Sequence, residues 1–350
     1  MRIKGPQSCK SFVAILVLVA IGLGIRVAGA RQSNARRSSG ERPMETDNGA
    51  SAALHVLPVQ GNVYMLVGDG ANVAVQVGED GVLLVDAGTA ALSDKLVQTV
   101  QSEFHKPIRY IIDSNVLPDH AGGNQNVGKQ GRRYDAPAGN PGNPIAILGS
   151  GAQIIAFQSV LDRMSDSKSQ DYVAAEEAWP TDAYEDPRMP LHFNGEAIDI
   201  LHQPAANTDG DTMVLFRASD VVTTGDIFST SSYPVIDLQR GGSLQGVIDG
   251  LNRLMYQITV TGNHQEGGTM IIPGHGRLCD QGDLSFYQEM ITVIRDRIQA
   301  MIKKGMTLEQ VKAAKPTMDY DPRYSGKGAW TADMFVEAAY KSLSEKRETN

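Results

Sequence analysis

An α/β fold, with two β-sheets packed face to face and helices outside, is the class the sequence predicts, on three observations. Two strand-rich blocks of similar design occupy Asn62–Asp86 and Ala197–Thr224. Helical stretches follow them at Ala91–Phe104, Leu244–Ile258 and Ser285–Lys303. No repeat of about 20–50 residues and no second domain boundary intervenes, so one domain is the economical reading.

The N-terminus carries a targeting pattern. Arg2, Lys4 and Lys10 precede the apolar run Phe12–Ile21, and Ala28-Gly29-Ala30 places small residues at signal-peptidase spacing. The run is short for a membrane span, which takes about 20 residues. Residues 1–30 are therefore expected to be a signal peptide cleaved near Ala30, with export to the periplasm or the medium, rather than an uncleaved anchor. Cys9 lies before the apolar run, not after it as a lipoprotein would need. Residues 31–51 lack apolar periodicity and are expected to be a flexible tether. The single domain then runs over 52–350, with a helical extension from about residue 283.

Within that domain, Asn62–Val67, Asn72–Val77 and Gly81–Asp86 are β-rich runs divided by Gly-Asp-Gly and Gly-Glu-Asp-Gly turns, an antiparallel meander. After the helix Ala91–Phe104 comes a strand at Ile108–Asp113. Lys129–Pro144 is turn-forming and reads as an exposed insertion. Ala146–Leu148 reads as a strand, Gln153–Met164 as a helix, and Ser165–Pro190 as polar and irregular. Strands are expected at Ala197–His202, Thr212–Arg217, Asp220–Thr224 and Met270–Ile272.

Composition excludes some partners. A net charge of -8 argues against a nucleic-acid backbone, and against a membrane beyond the targeting signal. The hydrophobic fraction of 41% over 350 residues supports a sizeable core. The 36 glycines beside 8 phenylalanines and 2 tryptophans point to many tight turns around small aliphatic residues. Signal-peptide cleavage leaves Cys279 as the single cysteine, so no internal disulfide forms. A buried inert thiol is its expected role.

Functional residues concentrate in turns at strand ends, where a rigid sheet holds side chains at fixed distances. In the segment 114–124, SNVLPDHAGGN, Asp119 and His120 are adjacent in a Pro- and Gly-bounded turn. The positions before them, Asn115 and Leu117, hold an amide and a side chain that cannot bind a metal. Asp86 in LVDAG, Asn207 in AANTDGD, Asp226 in TTGDIF and His275 in IIPGHG occupy comparable turns. Singly, each is an ordinary turn residue: an aspartate caps a turn, and a histidine satisfies a carbonyl.

The order LVDAG, DHAGGN, TDGDT, TTGDIF, IIPGHG resembles the metallo-β-lactamase superfamily over roughly Leu54 to Tyr287. The resemblance implies a four-layer αββα sandwich with two adjacent metal positions opened by an H-x-H-x-D-H motif. It places Asn115, Leu117 and Asn207 where three histidines would hold the first metal. It places Asp119, His120 and His275 at the second metal, and Asp226 at the bridging aspartate. The three departures all belong to one metal, a trio that random loss of three ligands from seven would select about once in 35 draws. The motif therefore reads as a two-metal site reduced to one. Asp86 resembles the family's structural aspartate beneath the site, which implies that it orients a ligand.

An O/N/N set of Asp119, His120 and His275 suits one zinc ion, with manganese or iron as alternatives. Three protein ligands leave room for an activated water, with Asp119 and Asp226 as the candidate catalytic carboxylates; four close the site as a structural ion. One subclass of the family is similar in carrying asparagine at the place of Asn115 and working with a single metal, but it keeps histidines at the places of Leu117 and Asn207. Two readings of Asn115 and Asn207 stand: they donate to a substrate or oxyanion, or they fill the vacated volume. The resemblance thus implies an exported hydrolase-like protein for a small molecule with an ester, thioester, lactam or similar bond. The alternatives are a ligand-binding pseudoenzyme and a scaffold with a structural metal.

Among the other polar residues, Asp209 and Asp211 are expected to organise their turn. Tyr233 and the Gly241-Gly242-Ser243 turn are candidates for the cleft wall. His55, His105, His192, His202 and His264 lack motif support and are expected to have surface or core roles.

Overall fold

Alternation along the strands decides the layers. In the strand Val82–Val85, Val82 and Leu84 face one core while Leu83 and Val85 face another. Residues along a strand point to opposite sides, so a sheet covered on both faces reads as a continuous apolar run. The computed structural model describes residues 54–133, 151–166, 174–258, 268–325 and 330–344, all within the unit Ser51–Asn350. The expected signal peptide and tether, the strand at Ala146–Leu148, His264 and the expected insertion from Tyr134 onward lie outside the described residues.

The first sheet runs β1 (His55–Gln60), β2 (Val63–Val67), β3 (Val73–Val77), β4 (Val82–Val85), β5 (Ile108–Ile112), β6 (Gln153–Phe157) and β7 (Asp182–Tyr184), in that spatial order. The pairs from β1 to β4 are antiparallel, and those from β4 to β7 are parallel. The second sheet has β8 (Arg188–Phe193), β9 (Glu196–His202), β10 (Thr212–Phe216), β11 (Val221–Thr223) and β12 (Met270–Ile272), in the order β12-β11-β10-β9-β8. Only its β11–β12 pair is parallel.

Among the described residues three large apolar cores make four layers, with a smaller cluster of Ala156, Val160 and Met164 beside them. The middle core joins the sheets, with Leu83, Ile112 and Ile155 meeting Ile198, Val214 and Phe216. One outer core covers the first sheet with α1 (Ser93–Phe104) through Leu96, Val97 and Val100, and with Val127 of α3 (Asn124–Gln130); the short α2 (Pro118–Ala121) precedes α3. Beside β6 lies α4 (Gln158–Ser165). The other outer core covers the second sheet with α5 (Leu244–Arg253) and α6 (Gln281–Lys303). Beyond α6 come α7 (Leu308–Ala313), α8 (Asp321–Tyr324) and α9 (Ala332–Ser344), whose Val311, Tyr324 and Phe335 join the same core. This is the αββα arrangement.

Several local expectations are corrected. Gln153–Phe157 is a strand, and only Gln158–Ser165 is helical, whereas the sequence suggests a helix over Gln153–Met164. β6 is paired on both sides and buried on both faces, so its apolar run carries no period that separates strand from helix. Ser165–Pro190, expected to be irregular, contains β7 and the start of β8. Helix α5 ends at Arg253 and continues as a π-helical turn over Leu254–Ile258.

Register gathers the strand ends. Val85 pairs with Ile112 across the parallel β4–β5 ladder, so Asp86 and Ser114 emerge side by side. Thr223 pairs with Ile272 across the parallel β11–β12 ladder, so Asp226 and His275 each stand three residues beyond a paired position. Close backbone approach is needed there. A Cβ on Gly274 would lie 2.7 Å from the Gly225 backbone, and one on Gly225, at φ 48°, would lie 2.8 Å from Ser114 Oγ.

Candidate metal centre

Four side chains from three loops meet at this end of the sandwich. His120 sits in α2, which Pro118 opens at the first turn, and its ring is fully buried. Its Nδ1 lies 2.8 Å from Asp86 Oδ2 and 3.0 Å from Ser114 Oγ. Asp86 also accepts from the Ser114 backbone N–H at 2.7 Å and from the Ser114 hydroxyl at 2.8 Å. These contacts hold Asp86 at φ 69°, a left-handed conformation uncommon outside glycine. A carboxylate against Nδ1 fixes the imidazole tautomer and directs the Nε2 lone pair the other way.

On that other side, His120 Nε2 lies 3.1 Å from Asp226 Oδ2. The approach permits charge attraction but misses hydrogen-bond geometry, so this buried nitrogen has no hydrogen-bond partner among the described residues. His275 Nε2 is 3.1 Å from Asp119 Oδ2 and 3.4 Å from Asp226 Oδ1. The two imidazoles meet edge to face, with centroids 5.8 Å apart. The cluster grades from deep to open: the His120 side chain is 0% exposed and Asp226 9%, against 30% for His275 and 33% for Asp119. Solvent reaches it from the Asp119–His275 side.

The electrostatics are those of a cluster that wants a cation. Burial alone would raise the Asp226 carboxyl, but the two imidazoles hold it far below the ordinary range. Burial likewise opposes ionisation of Asp119, and His275 overrides it and lowers that group. Burial disfavours charge on His275, yet Asp119 and Asp226 push its pKa up to about 9. Against the same desolvation, Asp226 and Asp86 raise His120 well above the usual histidine value. With protons on the imidazoles, the acids have counter-charges; a metal ion supplies the same positive charge and displaces those protons.

The donors fit such an ion. Asp119, His120 and His275 each offer a ligand atom within 4.8 Å of the others. Nitrogen and oxygen ligands about 2.1 Å from a tetrahedral zinc stand about 3.4 Å apart, and the acid–imidazole contacts here span 3.1 to 3.4 Å. The unpartnered His120 Nε2 is the kind of orphaned atom that a metal satisfies.

The other three predicted positions look different. Asn115 is fully buried; its Nδ2 donates to Asp226 Oδ2 at 3.3 Å, and its Oδ1 accepts from the Leu117 N–H at 2.8 Å. Leu117 is half-buried and precedes α2. Asn207 is fully buried, and its Nδ2 donates to the Val235 carbonyl at 3.1 Å. Each amide nitrogen thus gives one hydrogen to an acceptor of the protein itself, while Asn207 Oδ1 is buried without a partner among the described residues.

Tyr233 is not on a cleft wall. It is fully buried, stacked on Phe335 at 4.8 Å, and its hydroxyl donates to the Asp321 carboxylate at 2.9 Å. The helices after α6 form the surroundings that bury it, and nothing local to Tyr233 signals them. Gly242 lies against the Asn207 carbonyl, and Ser243 caps α5 through the Gly246 N–H. Asp211 organises its turn by accepting from the Thr208 N–H at 2.8 Å, whereas the Asp209 carboxylate pairs with Arg163 of α4 and ties the turn to that helix. Cys279 is buried, with its thiol pushed up to about 12 by desolvation. His202 stacks on Phe157 with centroids 3.4 Å apart.

Two supporting residues escape sequence reasoning. Ser114 bridges Asp86 and His120, and its place just beyond β5 is the signal that could have found it. Asn72 pins the His275 loop, its Nδ2 donating to the Pro273 and Gly276 carbonyls at 2.9 and 3.0 Å. No local pattern marks Asn72, because its partners lie about two hundred residues away.

No protein-family model matches the sequence, and no curated protein matches it. Solved structures do. The chain is similar to a stereoselective inverting sec-alkylsulfatase from Pseudomonas sp., with a TM-score of 0.64 at 14% identity, over 82% of this chain and 50% of that one. It thus spans about half the length of that enzyme. It is also similar to a metallo-β-lactamase from Pontibacter korlensis, with a TM-score of 0.50 at 12% identity, over 69% of this chain and 99% of that one. The DIM-1 metallo-β-lactamase matches with a TM-score of 0.50 at 14% identity, over 69% of this chain and 98% of that one. Two sheets with these connections, and the likeness to these metallo-β-lactamases, give the described chain the metallo-β-lactamase fold.

Proposed function

We propose that the protein is a single-metal hydrolase of the metallo-β-lactamase type, acting on a small molecule with an ester, thioester, lactam or similar bond. The observation that carries this reading is asymmetric: Asp119, His120 and His275 converge as metal donors with Asp226 against both imidazoles, while the three other expected positions hold two amides and a leucine. Asp86 holds His120 in the tautomer that leaves Nε2 for the ion. Asn115 donates to Asp226 Oδ2, the same oxygen that faces His120 Nε2, so the amide gives that carboxylate a hydrogen-bond donor without adding charge. A zinc ion, when bound, supplies a Lewis acid that polarises the scissile group and acidifies water. Asp119, on the open side, and Asp226, on the deep side, are the carboxylates able to take a proton from the nucleophile.

A second reading draws on Asp226. It turns one oxygen to each imidazole, 3.1 Å from His120 Nε2 and 3.4 Å from His275 Nε2, and an ion held by Asp119, His120 and His275 with Asp226 beside it would act as a structural tie between loops. The test is metal analysis of the purified protein coupled to a hydrolysis panel run with and without chelator. Chelator-sensitive turnover with one equivalent of metal supports the hydrolase. Metal that raises the melting temperature without turnover of any substrate supports the structural ion. Less than about a tenth of an equivalent after reconstitution overturns both.

A further inference from the structure

The donors of the metal centre come from both sheets. Asp119 and His120 sit in α2, which follows β5 of the first sheet, whereas Asp226 follows β11 and His275 follows β12 of the second. An ion held by Asp119, His120 and His275 therefore depends on how the loops of the two sheets are set against each other. On the second-sheet side, His275 is already fixed to the loop of Asp226. The Gly274 N–H donates to the Gly225 carbonyl at 2.9 Å, and the Thr230 N–H donates to the His275 carbonyl at 3.1 Å.

Asn72 supplies a tie to the first sheet. It ends the connection 68–72 between β2 and β3, and it is buried. Its backbone N–H donates to the Gly274 carbonyl at 2.8 Å, and its Nδ2 donates to the Pro273 and Gly276 carbonyls at 2.9 and 3.0 Å. With Thr230 on the His275 carbonyl, every carbonyl from Pro273 to Gly276 has a donor. Asparagine suits this place because its amide carries two hydrogens, one for each of the two carbonyls that bracket His275. The same connection also lies against Asp119, since a Cβ on Gly70 would stand 3.6 Å from Asp119 Cβ. It thus touches the supports of both open-side donors, whose Oδ2 and Nε2 are 3.1 Å apart.

We infer that Asn72 is a positioning residue for the ion. It holds the His275 turn of the second sheet against the first-sheet side that carries Asp119, so the donors are set before an ion arrives. A donor set fixed in advance loses less freedom on binding. This role rests on the single-metal reading above.

The test uses the full chain, with zinc affinity measured by competition against a chromophoric chelator and cobalt used in place of zinc as a spectroscopic probe. Asn72→Ala should weaken zinc binding by about tenfold or more. It should also shift the visible bands of the cobalt-loaded protein, which report the angles among the ligands. The control is Asn62→Ala, at the opposite end of the same hairpin, where Asn62 Nδ2 donates to the Val77 carbonyl at 2.9 Å. That variant should keep the zinc affinity and the cobalt bands of the unaltered protein. Where Asn72→Ala does not fold, Asn72→Ser, which keeps a hydroxyl but loses the second donor, carries the same two readouts. The role is overturned if the Asn72 variant leaves either readout unchanged, or if Asn62→Ala weakens zinc as much. No zinc binding by the unaltered protein overturns the single-metal reading itself, and this role with it.

Discussion

The two halves of the predicted site share the loop after β5 but have opposite chemistry. In one half, Asp119, His120, His275 and Asp226 hold acids and imidazoles at 3.1 to 3.4 Å, with a buried nitrogen left unpartnered. In the other, Asn115 and Asn207 direct their amide nitrogens to Asp226 and to the Val235 carbonyl, and Leu117 contributes only hydrocarbon. The comparison teaches that buried amides at these positions find partners inside the protein, so this half needs no cation. A half that keeps its ionisable donors still needs a cation, whether proton or metal.

The largest effect expected on breaking this contrast is at His120. His120→Ala leaves Asp86 and Asp226 as buried carboxylates without their imidazole, and should cost about 3–5 kcal/mol in urea unfolding. Zinc retained after dialysis should fall below about a tenth of an equivalent. A stable variant that still holds zinc would place the ion elsewhere.

Rebuilding the vacated half is the complementary change. The combined substitutions Asn115→His, Leu117→His and Asn207→His are expected to add a second equivalent of zinc by metal analysis. A value that stays at one would mean the loops, and not only the ligands, have changed.

The turn that carries Asn207 also has a pH signature. Burial pushes the Asp211 carboxyl up to about 8, despite the hydrogen bonds it accepts from Thr208. In the unfolded chain the group ionises near pH 4, so between about pH 4 and pH 8 the unfolded state binds fewer protons. Its contribution to stability therefore falls as pH rises through that window and levels off above it. Urea midpoints at about pH 5 and pH 8 should show this fall, and Asp211→Asn should flatten it. The smallest effect is expected at Leu117. This residue is half-buried, and Leu117→Ala should cost less than about 1–2 kcal/mol in thermal unfolding and leave metal content unchanged.

The same contrast explains what could be read from the sequence. β3, β4 and β10 are buried on both faces and bounded by turns, so their existence is legible. β1 and β8 are edge strands carrying Pro58 and Pro190, the residues that edges tolerate and strand patterns exclude. They are invisible to that reading. At the site, the donors are legible because their types and turns are distinctive. The roles of Ser114 and Asn72 depend on contacts between loops, which only the packed sandwich supplies.

The most direct test of the central claim is zinc stoichiometry. Metal-free protein titrated with zinc, followed by calorimetry and by metal analysis after dialysis, should bind one equivalent, and His275→Ala should abolish that binding. Two equivalents in the unaltered protein, or one equivalent that survives His275→Ala, would contradict the account.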